Sequence, residues 1–210
     1  MNFQEAVYKH FKFTGRAFRD NLPALAIPKF HWGNQGDHGR QALARVASDM
    51  QCRRGVEIGT HRGDSSIMWL KQAKKMHLSC IDPYVTYNAR RSQNAQNAVY
   101  AEAVERLKPY NAEIIRAASL DVVDSFEDRS LDFLYIDGDH EFDPVVQDLV
   151  RWAPKVCKGG LILLHDYGVF WRGGVVKAVD AYTSCHRIDP WYVTRDYMPT
   201  AFWEKRICHE

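Results

Sequence analysis

Hydrophobic positions change their spacing repeatedly between about Gly55 and Leu164. Short apolar runs rich in β-branched residues predict strands, and stretches with apolar residues three and four positions apart predict helices between them. The predicted strands are 56–59, 78–82, 114–115, 131–136 and 161–164. One predicted helix follows the first strand, and two others cover about 89–107 and 145–152. Strands that alternate with helices in this way favour right-handed crossovers, and therefore an α/β fold with a Rossmann-like, doubly wound and mostly parallel sheet.

The two ends of the chain show different patterns. Residues 1–45 carry seven basic and three acidic side chains, and prolines and glycines interrupt them. They predict a helical and looped N-terminal extension that is able to cover the carboxyl edge of the sheet. Near the other end, Trp191–Thr194 and Ala201–Glu204 predict a closing antiparallel hairpin. We therefore expect a single domain over 1–210, with a core at 46–210 and an extension at 1–45.

Composition narrows the class of protein. With 210 residues, 46% hydrophobic and 26% charged, the chain is neither disordered nor a coiled coil. Its 28 basic and 26 acidic side chains give a net charge of +2, which provides no general attraction to nucleic acid. The five cysteines are scattered, which favours reduced thiols over disulfides or a zinc site. No signal peptide or membrane span is visible, so we expect a cytoplasmic protein with no membrane partner, compatible with a homo-oligomer.

A turn containing glycine follows the first predicted strand, in the segment Glu57-Ile58-Gly59-Thr60-His61-Arg62-Gly63-Asp64-Ser65. Two glycines four positions apart allow a sharp turn and a close approach to a ligand. The segment is neither a G-x-G-x-x-G fingerprint nor a phosphate-binding loop, so an ordinary strand-to-helix turn explains it equally well. Asp82 ends the second strand about 20 residues later, where a carboxylate can accept hydrogen bonds from ribose hydroxyls. The other interpretation of Asp82 is a helix cap or turn residue.

Acidic and histidine residues follow the next two strands along the chain. Asp137, Asp139 and His140 come after the fourth strand, and His165 and Asp166 come after the fifth. Carboxylates brought together at adjacent strand ends need a cation, a shared proton or hydrogen-bond donors. Oxygen ligands with room for water suit Mg²⁺. The alternative is structural: the two nearer aspartates cap a helix that starts at about residue 141, while the second histidine packs in a turn.

These motifs, in this order, resemble class I S-adenosylmethionine-dependent methyltransferases. Within that class the chain is similar to the small branch of macrocin and aminocoumarin O-methyltransferases, and more distantly to catechol O-methyltransferase. The segments that carry the resemblance are Val56–Ser66, Ile81–Tyr84, Leu131–His140 and Gly159–Tyr167. The resemblance implies the class I methyltransferase fold, S-adenosylmethionine as cofactor, and methylation of a hydroxyl on a sugar or glycosylated small molecule, with assistance from Mg²⁺.

The resemblance also implies roles for individual residues. The implied cofactor contacts are Glu57, Gly59, Thr60, Gly63, Ser65, Asp82, Ala118, Ser119 and Asp137. The implied metal ligands are Asp137 and Asp166, with His165 as a third. Metal-dependent relatives carry Asp or Asn where this chain has Tyr167, so a mechanism without metal stays open. The implied base is His140 or Asp139, and the unperturbed pKa of histidine, near 6.5, favours the former.

Two other functions remain as alternatives. One is a module that binds the cofactor without catalysis, which the pair of acidic strand ends argues against. The other is a nicotinamide-dependent oxidoreductase, which the missing G-x-G-x-x-G disfavours. Aromatic residues on segments expected near the same edge are predicted to line an acceptor pocket, and these are His31, Trp32, Phe170 and Trp171.

Overall fold

The computed structural model describes residues 1–16, 23–26, 39–86, 92–168, 171–195 and 198–206. In these residues nine strands occur: β1 (Lys12–Arg16), β2 (Pro23–Ala26), β3 (Arg54–Ile58), β4 (His77–Ile81), β5 (Ala112–Ile115), β6 (Leu131–Ile136), β7 (Val156–Leu164), β8 (Tyr192–Thr194) and β9 (Ala201–Glu204). The α-helices are α1 (Phe3–His10), α2 (Gly39–Asp49), α3 (Asp64–Gln72), α4 (Gln93–Leu107), α5 (Ser119–Val122), α6 (Phe142–Trp152) and α7 (Gly174–Cys185). Single 3-10 turns at Val123–Ser125, Ala153–Lys155 and Trp171–Gly173 complete the described elements.

The strands of the described residues form one sheet in the order β1-β2-β8-β9-β7-β6-β3-β4-β5. Strands β3 to β7 are mutually parallel, whereas β9 is antiparallel to both β7 and β8. The predicted doubly wound sheet and closing hairpin are therefore confirmed. The chain leaves β3 toward β4 and later returns to pair β6 on the other side of β3. This is the point at which strand order reverses, where ligands bind in sheets of this kind.

Helices cover both faces of the sheet, because alternate residues of each buried strand point to opposite sides. On one face Phe133, Tyr135 and Leu163 pack against α1, α2 and α3. On the other face Leu134 and Ile162 pack against α6 and α7. Helix α6 shows why the apolar spacing predicted it: Val145, Leu149 and Trp152 are all buried, at four- and three-residue intervals.

The N-terminal extension contains more than the expected helix and loops. Helix α1 is present and starts with a capping box between Asn2 and Glu5. Strands β1 and β2 follow, and β2 pairs in parallel with β8, so the extension widens the sheet by two strands. The sequence prediction missed these strands because Lys12–Arg16 and Pro23–Ala26 are short and include a glycine and a proline, which are depleted in strands. Among the described residues, no helix is long and apolar enough to cross a membrane.

Candidate active site

The glycine turn lies at the carboxyl end of β3 and leads directly into α3. Gly59 has φ +91°, and a Cβ there would lie 2.1 Å from the carbonyl oxygen of Asp137. Only glycine allows this close contact between the ends of β3 and β6. Gly63, with φ +76°, precedes the first residue of α3, where a left-handed conformation again favours glycine. The turn therefore brings the N-terminus of α3 and the end of β6 to one place.

Glu57 lies beneath this turn and is fully buried. Its carboxylate accepts a hydrogen bond from the Ser66 hydroxyl. Burial raises the pKa of Glu57 to about 7, although the Ser65 and Ser66 hydroxyls and the charge of Arg40 act against it. Thr60 is also buried, and its hydroxyl has no hydrogen-bond partner among the described residues. Glu57 and Thr60 are predicted cofactor contacts, and they form the floor of the turn. Ser65, a third predicted contact, is more accessible to solvent.

Asp82 follows β4 and holds the turn in place. One carboxylate oxygen accepts the His61 N–H at 2.9 Å, and the other accepts the Tyr84 N–H at 2.8 Å. The Tyr84 hydroxyl donates to the His61 carbonyl at 3.0 Å, which closes the arrangement. Each carboxylate oxygen keeps a further lone pair. Asp82 is therefore able to order the turn and to accept hydrogen bonds from a ligand at the same time.

The predicted acidic and histidine cluster is present at the ends of β6 and β7. His140 Nε2 lies 2.8 Å from Asp166 Oδ2 and 3.8 Å from Asp137 Oδ1. His165 Nδ1 lies 3.1 Å from Asp137 Oδ1 and 3.0 Å from Asp166 Oδ1. The two carboxylates are thus each in contact with both imidazoles. Buried carboxylates need positive charge or hydrogen-bond donors nearby, and here the two imidazoles provide them.

Ion pairing sets the protonation of this cluster. Burial would lower the pKa of His140, but its contacts with Asp137 and Asp166 outweigh burial and raise it to about 9. The same balance raises the pKa of His165 to about 9. Burial acts to raise the pKa values of both aspartates, yet the histidines hold them below the usual range. At neutral pH and without a ligand, both histidines in the cluster are therefore protonated, and they pair with two ionised aspartates.

The same side chains fit a divalent cation. One donor atom each from Asp137, His140 and Asp166 lies within 4.8 Å of the other two. Asp137 and Asp166 are two of the predicted ligands, and His140 completes this set. The predicted third ligand, His165, also contacts both carboxylates. Two carboxylates and an imidazole suit Mn²⁺ or Fe²⁺ at least as well as Mg²⁺, because Mg²⁺ prefers oxygen ligands. Tyr167 is not part of this donor set. Its hydroxyl instead donates a hydrogen bond to Asp180 at 2.6 Å.

Asp139 has the structural role that the sequence left open for it. It is exposed, and its carboxylate accepts the Glu141 N–H at 2.8 Å, immediately before α6 begins. Its neighbour His140 is held differently: a Cβ on Gly174, the first residue of α7, would lie 2.2 Å from the His140 carbonyl oxygen. The close approach of α7 therefore fixes the loop that carries His140. Of the two predicted bases, His140 is the one within the cluster.

Ala118 and Ser119 follow β5, next to the other strand ends. Ala118 is exposed, and the Ser119 hydroxyl donates to Asp148 at 2.5 Å. Asp148 is almost fully buried in α6, and burial raises its pKa to about 6. Sequence reasoning missed this partner, although an acid within the apolar stripe of α6 was a visible signal. The contact orients Ser119 at the predicted adenine side of the site.

Tyr135 is a second residue that sequence reasoning missed. It is fully buried in β6, and its hydroxyl donates to Asp137 Oδ2 at 3.0 Å. Residues two apart on a strand share a face, so a tyrosine two positions before Asp137 was the available signal. The predicted acceptor-pocket residues His31, Trp32 and Phe170 lie outside the described residues, as does the side chain of Trp171.

The amino-acid sequence is similar to one known domain family and to two curated proteins. A family model described as a methyltransferase domain matches residues 56–167, which include the glycine turn, Asp82 and the whole acidic and histidine cluster. The chain is 30% identical over 129 residues to the uncharacterized protein R132 of Acanthamoeba polyphaga mimivirus, covering 60% of this chain and 57% of that protein. It is 26% identical over 192 residues to the uncharacterized protein y4gI of Sinorhizobium fredii, covering 88% of this chain and 20% of that protein. The chain thus spans between about one fifth and just over half the length of these two relatives.

Among solved structures, the fold is similar to that of the O-methyltransferase TomG from Streptomyces achromogenes, which is involved in tomaymycin synthesis and was solved in complex with S-adenosylmethionine. The TM-score is 0.58 at 15% sequence identity, and the match covers 79% of each chain. At this identity the likeness shows a shared fold.

Proposed function

The chain belongs to the methyltransferase domain family and has the class I S-adenosylmethionine-dependent methyltransferase fold, and from this premise we propose that it methylates a hydroxyl of a small molecule. The observation that carries the proposal is the convergence of three features at adjacent carboxyl strand ends. These are the glycine turn after β3, Asp82 after β4, and the cluster of Asp137, His140 and Asp166 after β6 and β7. Ligands of doubly wound sheets bind at this position.

The cofactor half of the proposal uses the first two features. Gly59 and Gly63 allow the backbone to approach the methionine part, and the first N–H groups of α3 are available as donors. Asp82 accepts hydrogen bonds from the ribose hydroxyls, and Ala118 with Ser119 borders the adenine. When bound, S-adenosylmethionine supplies an electrophilic methyl group on a positively charged sulfur.

The reaction is a displacement in which the acceptor oxygen bonds to the methyl carbon while the carbon–sulfur bond breaks. The electron pair of that bond stays on sulfur, and the acceptor proton goes to a base. We assign this role to the neutral form of His140, whose Nε2 Asp137 and Asp166 hold at the ends of two neighbouring strands. Because the pKa of His140 is raised to about 9, its imidazolium must lose a proton before it can act as the base, and the base form therefore increases as pH rises toward 9. Holding acceptor and methyl group in line accounts for most of what the protein must provide.

A divalent cation is a further part of the proposal. Asp137, His140 and Asp166 would hold it, and there it would lower the pKa of the acceptor hydroxyl. One nitrogen cannot both bind the cation and accept the proton, so with a bound cation the base would be Asp139. The sequence resemblance to macrocin and aminocoumarin O-methyltransferases supports a sugar or glycosylated small molecule as the acceptor.

Cofactor binding is tested by calorimetry of the whole chain with S-adenosylmethionine, S-adenosylhomocysteine and NAD. We expect both sulfur compounds to bind and NAD not to bind. Asp82→Ala should weaken S-adenosylhomocysteine binding at least tenfold, whereas Asp128→Ala, which removes an exposed carboxylate paired with Lys155, should not change it. Binding of NAD alone would overturn the cofactor assignment.

Chemistry is tested by screening hydroxylated acceptors with a labelled methyl donor, followed by variants on the acceptor that reacts. Loss of turnover in His140→Ala with normal cofactor binding supports His140 as the base. If Asp139→Asn loses turnover instead and EDTA abolishes activity that Mg²⁺ or Mn²⁺ restores, the cation-assisted form is supported. Retention of full turnover by both variants would remove both assignments.

A further inference from the structure

A cavity of about 900 Å³ lies at the opposite edge of the sheet from the proposed active site. Its walls are the amino end of β7 near Gly159, the last residues of β9, and the carboxyl end of α7. Because β7 runs from this cavity to Asp166, the strand itself separates the two places. The volume is within the range of about 300–1,000 Å³ that small-molecule sites occupy.

Positive charge dominates the rim of this cavity. Four cationic side chains line it, and these are Lys158, Arg187, Lys205 and Arg206. Among the described residues, Glu204 is the one carboxylate that contributes to the lining. Within the described part of the chain, no carboxylate forms an ion pair with any of these four cations. An anion in the cavity would therefore meet cations that no acidic group of the described residues pairs with, while the Arg206 guanidinium donates to the Asp189 carbonyl oxygen.

Aromatic rings form a second feature of the same wall. The rings of His186 and Tyr182 lie 4.3 Å apart at 38°, and Tyr182 stacks on Trp203 at 6.1 Å and 29°. His186 is exposed, whereas Trp203 is almost fully buried. The indole N–H of Trp203 has no hydrogen-bond acceptor among the described residues. The wall thus offers a flat, polarisable surface beside the cations.

The backbone at Gly159 opens the cavity between these two features. The pairing of β6 with β7 is irregular here, since Leu131 pairs with Val156 but Phe133 pairs with Leu161. Gly159 has φ +83°, and a Cβ there would meet only the Glu204 carboxylate, at 4.0 Å. The irregular strand therefore turns a glycine toward open space and places Lys158 next to it.

We propose that this cavity is a second binding site, which takes a small anionic compound that carries a planar ring, such as an aryl phosphate or a nucleotide. The cations hold the anionic group, and the ring stacks against the exposed imidazole of His186. The other explanation of the charges is that Arg187 and its neighbours complement the carboxyl end of α7. That explanation requires no ligand, and it gives the opposite result in a binding experiment.

The experiment is calorimetry of the full chain with phenyl phosphate, which lacks the adenosine and sulfur groups that the proposed active site is built to hold. Inorganic phosphate tests the anionic part alone, and benzyl alcohol tests the ring alone. We expect phenyl phosphate to bind at least tenfold more tightly than either. The doubly substituted variant Arg187→Glu with Lys205→Glu should reduce its affinity at least tenfold, and His186→Ala should reduce it severalfold.

Lys177→Glu is the matched control, because Lys177 is an exposed cation of α7 that does not line the cavity. It should leave the affinity unchanged. Lys177→Glu changes the net charge by −2 and the double variant changes it by −4. A loss of binding free energy in the control about half that of the double variant would therefore show attraction by overall charge, and no binding of phenyl phosphate would overturn the proposal. Melting temperatures of all variants identify any loss that unfolding causes. Since no step requires turnover, a failure here is distinguishable from a failure of the proposed methyl transfer.

Discussion

Removing the Tyr135 hydroxyl tests how the fold holds the carboxylate of Asp137. In Tyr135→Phe the ring keeps its place, edge-on to Trp69 at 5.0 Å, so no cavity forms. The change removes one hydrogen bond of 3.0 Å to a carboxylate in a site that is only 17% exposed. A hydrogen bond to a charged group contributes about 1.5–3 kcal/mol, and we expect a loss of that size in the free energy of unfolding.

Tyr84→Phe is the matched control. Tyr84 is also buried, and its hydroxyl also donates over 3.0 Å, but to the neutral carbonyl of His61. A neutral hydrogen bond contributes about 0.5–1.5 kcal/mol, so this variant should lose less. Urea unfolding at pH 7 measures the free energy of unfolding of both variants. Unchanged m-values confirm that each variant exposes the same surface on unfolding as the original chain does.

The charge of Asp137 provides the decisive comparison. In an Asp137→Asn background the acceptor becomes a neutral amide, and the cost of Tyr135→Phe should fall into the range of the Tyr84 control. The reasoning is refuted if Tyr135→Phe and Tyr84→Phe lose the same free energy, or if the asparagine background leaves the cost of Tyr135→Phe unchanged.

Other properties follow from the same geometry. His140 and His165 have pKa values raised to about 9, so the stability they contribute is complete below about pH 6.5 and is lost as pH rises through 9. Urea unfolding between pH 6 and 9.5 should show this decline, and Asp137→Asn should flatten it; an equal slope in the variant would contradict the ion-pair explanation. Gly59→Ala should destabilise the chain by more than Gly159→Ala, since both need a left-handed conformation but only the former meets a backbone atom, at 2.1 Å. The Gly159 variant measures the conformational cost alone, about 1–2 kcal/mol, and similar losses in both would show that the close approach to Asp137 is relieved cheaply.

Much of the core follows from the sequence because its apolar patterns are local. Residues 133–136 of β6 and 161–164 of β7 are continuous apolar runs, as segments buried on both faces of the sheet must be, and these two strands contain the predicted ones. Strand β1 had no such pattern, and β2 is a run of only four residues that begins with a proline. They exist because β8 presents an edge that accepts another strand, and an edge is a property of the assembled sheet.

The candidate site divides in the same way. Sequence spacing was sufficient to predict that Gly59, Asp82, Asp137 and Asp166 meet at one edge, because parallel strands end together. It was not sufficient to choose between His140 and His165 as the third member of the donor set. That choice depends on the loop fixed by Gly174 and on where each imidazole reaches in space.

The amino-acid sequence by itself therefore determined the family, the order of the core elements and which candidate site residues meet at one edge of the sheet. Each of these depends on periodicity or on short motifs, which are properties of neighbouring residues. The tertiary structure decided that both histidines contact the two carboxylates, that Tyr135 and Asp148 support site residues, and that a cationic cavity lies at the far edge of the sheet. Those features arise between residues distant along the chain or from side-chain directions, and a local pattern signals such a residue without identifying its partner.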